Sequence, residues 1–220
     1  MRLKLILCCF TAGLAGAQNP GPNAPPPNPN DVRLVGGRFQ PLTYQQMTPA
    51  QKTMFEHLLA GKRRGASGPF NVLLRSPEMG DLAQQLGASI RYHSSIPRKL
   101  NELAIIITAR HWTAQYEWYA HRRAAHQAGL SQAIIDAVAA GKRPAAMQPE
   151  EEAVYNFCTE LLGTKQVSDA TFQAAKEKFG ERGVVDLMGV VGYYQLVSMV
   201  LNVDRYPLPQ GAQPELKPLP

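Results

Sequence analysis

Cysteine is nearly absent from this 220-residue chain, which holds only Cys8, Cys9 and Cys158. The first two fall in a stretch with the marks of a secretory signal: Arg2 and Lys4, the apolar run Leu5 to Leu14, and the small residues Ala15, Gly16 and Ala17 before Gln18. That apolar run is too short to span a bilayer, which takes about 20 residues. Residues 1–17 are therefore expected to be removed on export, to a periplasm or to the cell exterior. Cys158 then stands alone, which excludes an internal disulfide and leaves thiol redox chemistry without its usual partner. Its neighbours Phe157 and Leu161 suit a buried, inert thiol.

The chain also lacks any block of one charge sign. Its net charge is +6, with Arg2 and Lys4 contributing two of the positive charges. The densest clusters, Lys62-Arg63-Arg64 and Arg122-Arg123, are short and carry no array of stacking aromatics. They fit solvated helix ends, and no nucleic acid partner is expected. No useful length of alternating apolar and polar residues appears, which excludes a sheet-based fold. Proline is plentiful but uneven. Pro20, Pro22, Pro25, Pro26, Pro27 and Pro29 mark residues 18–34 as an extended, disordered arm, and residues 206–220 repeat that character. Both segments are expected to lie outside a folded unit spanning residues 35–205.

Within that unit the signals are helical. Thr48-Pro49-Ala50-Gln51 is a capping box with proline at the first helical position, opening a helix to about Ala60. Ser76-Pro77-Glu78 opens another in the same way, continued by Leu82, Leu86 and Ile90 at helical spacing. A third starts at Pro97, with Leu100, Leu103, Ala104 and Ile107 as its core stripe. After a break around Thr113, Gln115 to Ala128 closes at Gly129 and Ser131 to Ala140 closes at Gly141. Pro149–Leu162, Ser168–Phe179 and Glu181–Asn202 complete an all-α fold. The stretch Val184 to Val203 is apolar on nearly every side but interrupted by Asp186 and Gln195. It reads as a helix buried between others or at a subunit interface, so a homo-oligomer is expected and no membrane span once the signal is cleaved.

The densest chemistry lies between Glu102 and His121. Glu117 and His121 stand four apart on one helix face, and Glu102 comes from the preceding helix of an antiparallel hairpin. By itself the Glu117/His121 pair also fits an ordinary surface pair contributing about 0.3–0.5 kcal/mol. A metal site is a third reading, with Glu102 or His111 completing it, but the second helical histidine of a zinc motif is missing. His57, His93 and His126 carry no comparable pattern.

The order of these residues resembles the carboxymuconolactone decarboxylase and alkyl hydroperoxidase D superfamily, in which a glutamate on one helix precedes a Cys-x-x-Cys pair and then a histidine on the next. Glu102 stands for that glutamate and His121 for that histidine, while Ala114 and Glu117 occupy the two cysteine positions. The likeness covers roughly Gly68 to Arg205, including Pro69-Phe70, Ser76-Pro77-Glu78 and Gly192-Tyr193-Tyr194. It implies a helical bundle assembled as a trimer or hexamer. It also implies decarboxylase-like proton transfer, without metal or organic cofactor, on a small carboxy-lactone or related carboxylate. Peroxidase activity of the other branch needs a thiolate and a resolving thiol, which alanine and glutamate do not supply. A pocket that binds a small ligand without turnover is the non-enzymatic alternative. On this reading His121 is the general acid, Glu102 orients or recharges it, and Glu117 is a second proton carrier or polar anchor. Arg110 or His111 binds the substrate carboxylate, with Tyr116, Trp118 and Tyr193 as pocket walls.

Overall fold

The computed structural model describes residues 25–218, so the signal stretch 1–17 and the start of the arm lie outside the described residues. All regular structure among them is helical: α1 (Pro49–Ala60), α2 (Phe70–Leu73), α3 (Pro77–Tyr92), α4 (Arg98–His111), α5 (Gln115–Gln127), α6 (Gln132–Ala139), α7 (Pro149–Thr164) and α8 (Asp169–Asp204).

Local chemistry sets the boundaries. The Thr48 hydroxyl accepts the Gln51 N–H at 3.4 Å, and the Gln51 side chain accepts the Thr48 N–H at 2.9 Å, so two otherwise unpaired donors are satisfied. Ser131 and Ser168 cap α6 and α8 through the N–H groups of Ile134 and Thr171. α3 starts at Pro77 as the sequence suggests, yet Ser76 makes no side-chain cap. Gly129 and Gly141 take positive φ where α5 and α6 end. Gly180, with φ 67° and ψ 177°, kinks α8 between the two segments that the sequence separates there.

α4 is the axis of the bundle. Leu103, Ala104, Ile106 and Ala109 are fully buried, and α5, α6, α7 and α8 all pack on α4. A second apolar layer, built from α1, α2 and the start of α3 with Leu34 and Met47, covers the adjoining side. α3 joins the layers: its Ile90 belongs to the main core, and Gly87 lies against Tyr193 of α8. α8 is long and apolar enough to cross a membrane by length and composition, and half of its most apolar window is buried in this bundle.

Both proline-rich ends depart from expectation. Asn28 caps a short 3-10 turn at Pro29–Asp31, Leu34 is buried, and the buried Asp204 carboxylate accepts the N–H groups of Gly37 and Phe39 at 3.1 and 2.8 Å. The arm is thus bound to the fold up to its described start rather than free. The tail beyond residue 206, expected outside the folded unit, also returns to the bundle. Leu216 enters the main core, its carbonyl accepts from Gln115 Nε2 at 2.7 Å, and Glu215 accepts the Trp118 indole N–H at 3.1 Å. Proline content prevents helix here, but one leucine and a few directed hydrogen bonds suffice to dock extended chain.

Met79, Leu82 and Leu86 of α3 and Val185, Met188, Met199 and Val203 of α8 are exposed at helical spacing. Leu216→Ala should lower stability by about 2 kcal/mol in urea titrations and shift tryptophan emission to the red, because Leu216 and its neighbour Glu215 cover Trp118.

Candidate active site

A tight reversal creates the site. Thr113 adopts φ +48°, unusual for a β-branched residue, and the Ala114 N–H closes the turn on the Ala109 carbonyl at 2.9 Å. α4 and α5 therefore run side by side, bringing Glu102 opposite His121. His121 Nδ1 lies 2.6 Å from Glu102 Oε2, and Nε2 lies 3.0 Å from Glu117 Oε1. All three side chains are buried: Glu102, Glu117 and His121 expose 5, 4 and 7 % of their surface. The exposed i, i+4 pair that the spacing also permits is thereby ruled out.

Burial alone would lower the His121 pKa, but the Glu117 and Glu102 carboxylates outweigh it and hold the imidazole up to about 9. At neutral pH it is an imidazolium with both N–H groups donated to carboxylates. Both ring nitrogens are committed in this way, and no group of three or more His, Cys, Asp or Glu suited to a metal ion occurs among the described residues. The Tyr194 ring meets the His121 ring edge-on at 5.1 Å, and Tyr193 meets Tyr194 in the same manner.

Glu117 and His121 open onto a cavity of about 100 Å³, while Glu102 supports the imidazole from behind. Tyr116, Tyr193 and Tyr194 wall it. Burial pushes the Tyr116 hydroxyl up to about 12, aided by Tyr206, and raises Tyr193 and Tyr194 as well, so all three are neutral donors. Arg63 and Arg91 complete the polar lining.

Of the residues that sequence reasoning assigned, the structure gathers Glu102, Glu117, His121, Tyr116 and Tyr193 around this cavity. Arg110 and His111 are elsewhere. They sit at the far end of α4, on a separate cavity of about 150 Å³ with Lys142, Tyr155 and Thr159, and Arg110 donates to the Thr113 hydroxyl at 3.3 Å. Nearness along the chain misled, because the helix carries its last turn away from Glu102. Trp118 is no pocket wall either: it is buried and bonded to Glu215. Sequence reasoning missed Arg63, in a basic cluster read as solvated, along with Arg91 and Tyr194. Arg91 follows the core residue Ile90, and only the packing of α3 on α8 shows where it points. Cys158 is fully buried, and burial pushes its thiol up to about 12.

Residues 77–160 match the model of the carboxymuconolactone decarboxylase family, a span that contains Arg91, Glu102, Glu117 and His121. No curated protein matches the chain.

The raised His121 pKa stabilises the fold fully below about pH 6.5 and is lost as pH rises through about 9. His121→Ala should cost about 3–5 kcal/mol at pH 7, since it leaves two buried carboxylates without a cation. That deficit should narrow as pH rises through about 9, where the wild type loses its imidazolium; urea titrations across pH measure both.

Proposed function

We propose that this chain, whose residues 77–160 match the model of the carboxymuconolactone decarboxylase family, is an exported, cofactor-free lyase of that family that decarboxylates a small carboxy-lactone or related carboxylate. The observation that carries this reading is the buried imidazolium held between two carboxylates beside a small cavity. Loss of carbon dioxide breaks a carbon–carbon bond and leaves its electron pair in an enolate. The neutral hydroxyls of the wall tyrosines supply donors for the enolate oxygen. Carbon then takes a proton, and the new bond consumes the electron pair.

The geometry refines the roles. Both His121 N–H groups point at carboxylates, so the proton leaves by way of Glu117, which bonds the imidazolium and lines the cavity beside it. Glu102 fixes the ring and keeps it charged. A proton from solvent restores the imidazolium, balancing the loss of carbon dioxide. Peroxidase chemistry has no support from sulfur, since Cys158 is sealed in the core.

The test is turnover of carboxylated lactones in D2O, read as carbon dioxide release and one deuteron on carbon. Glu117→Gln and His121→Asn should lower kcat about 100- to 10,000-fold with the fold intact, and wild-type turnover should decline as pH rises through about 9. Full activity in His121→Asn contradicts the scheme. Thiol-dependent peroxide consumption by the wild type would return the peroxidase alternative, and thermal stabilisation without product would indicate a binding protein.

Self-association belongs to the same reading. Exposed apolar residues at helical spacing, Met79, Leu82 and Leu86 on α3 and Val185 and Met188 on α8, suit a second copy of this chain better than water, as a trimer or hexamer. Light scattering should give a multiple of the monomer mass, and Leu82→Glu with Val185→Glu should give monomers.

A further inference from the structure

Arg63 and Arg91 reach the cavity from outside the hairpin that carries the acids. Arg63 lies in the connection between α1 and α2, ahead of the residues that match the family, and Arg91 ends α3. Neither guanidinium forms an ion pair with a carboxylate among the described residues, and Arg63 Nε and Nη2 are buried without a hydrogen-bond partner. A buried charged donor left unpaired is strongly unfavourable unless something arrives to accept from it. Around the cavity three cations, Arg63, Arg91 and His121, stand against two carboxylates, Glu102 and Glu117, and both carboxylates are already bonded to His121. One positive charge is left over, and Arg91, although it feels the charges of Glu102 and Glu117, makes no ion pair with either.

The surroundings hold these guanidinium groups in place. Arg63 stacks over the Phe70 ring at 5.3 Å, and Arg91 lies 5.6 Å from the Tyr92 ring. Gly87 makes the room: a Cβ there would fall 2.6 Å from Arg63 Nη2 and 2.2 Å from the Tyr193 hydroxyl. The bare backbone of α3 thus lets a guanidinium and a neutral phenol lie together at one wall.

We propose that Arg63 and Arg91 form a carboxylate-binding subsite of this cavity, with the Tyr193 hydroxyl beside it, so that the ligand is a small organic acid held by a guanidinium clamp opposite Glu117 and His121. A planar guanidinium fork matches a carboxylate in shape and charge. The subsite deepens the lyase reading and rests on it for the placement of the acid. It assigns recognition to the α1–α2 connection and α3, and proton transfer to α4 and α5. Arg110 and His111 take no part.

The experiment is calorimetric binding of 5-oxotetrahydrofuran-2-carboxylate to the purified protein, with its uncharged carboxamide as control. The wild type should bind the acid about tenfold or more tightly than the amide, and the preference should fall with added salt. Arg63→Met and Arg91→Met should each remove that preference while leaving amide binding unchanged, and Arg63→Lys should restore part of it. Gly87→Ala, which displaces both Arg63 and Tyr193, should reproduce the loss; circular dichroism identifies any variant that fails to fold. The proposal is overturned if the acid does not bind at millimolar concentration, or if both arginine variants keep the preference. Charge-selective binding without turnover would sink the lyase reading and leave the subsite standing. Turnover indifferent to Arg63 and Arg91 would do the reverse.

Discussion

An imidazolium buried between two carboxylates constrains everything around it. Such a cluster is tolerable only when each charge has a partner, and the His121 ring meets that condition by donating one N–H to Glu102 and the other to Glu117. The contacts demand that α4 and α5 lie antiparallel within side-chain reach. That in turn requires the abrupt turn at Thr113, with its left-handed backbone and the Arg110 side chain across it. The burial of α4 among four other helices holds Glu102 rigidly enough for a 2.6 Å contact to persist.

The second layer of the molecule matters for the site as much as the central bundle does. α1, α2 and α3 form a separate apolar cluster, yet they deliver Arg63 and Arg91 to the cavity that α5 and α8 half enclose. Asp204 at the end of α8 secures the N-terminal segment through three backbone N–H groups and caps, in effect, two distant parts of the chain at once. The C-terminal segment has a comparable function on the far side, where Glu215 and Leu216 close over α5 and remove Trp118 from solvent. The two carboxylates and the imidazole therefore sit on α4, the most buried of the long helices, and on α5 beside it, whereas Arg63 and Arg91 come from the second layer.

The bundle was legible because helix signals are local. Capping boxes, proline at a first helical position and glycine past a last turn act over three or four residues, so the starts of α1 and α7 and the ends of α5 and α6 follow from neighbours in sequence. The Glu117 and His121 pair was legible for the same reason, since an interval of four residues places two side chains together on any helix. Glu102 was legible only through the added premise that the two helices form a hairpin. Arg110 and His111 show where such reasoning fails: proximity along the chain placed them at the site, and helical rise took them to another cavity.

What the amino-acid order determined by itself was helix, helix boundaries and the interval between Glu117 and His121, all consequences of backbone periodicity and short-range hydrogen bonding. Whether that pair is buried, which cations share its cavity, and whether proline-rich ends are bound or free were decided by tertiary packing. Those outcomes depend on apolar contacts between residues as distant as Gly87 and Tyr193, or Trp118 and Leu216. Such contacts have no period along the chain, and they exist only once the helices have met.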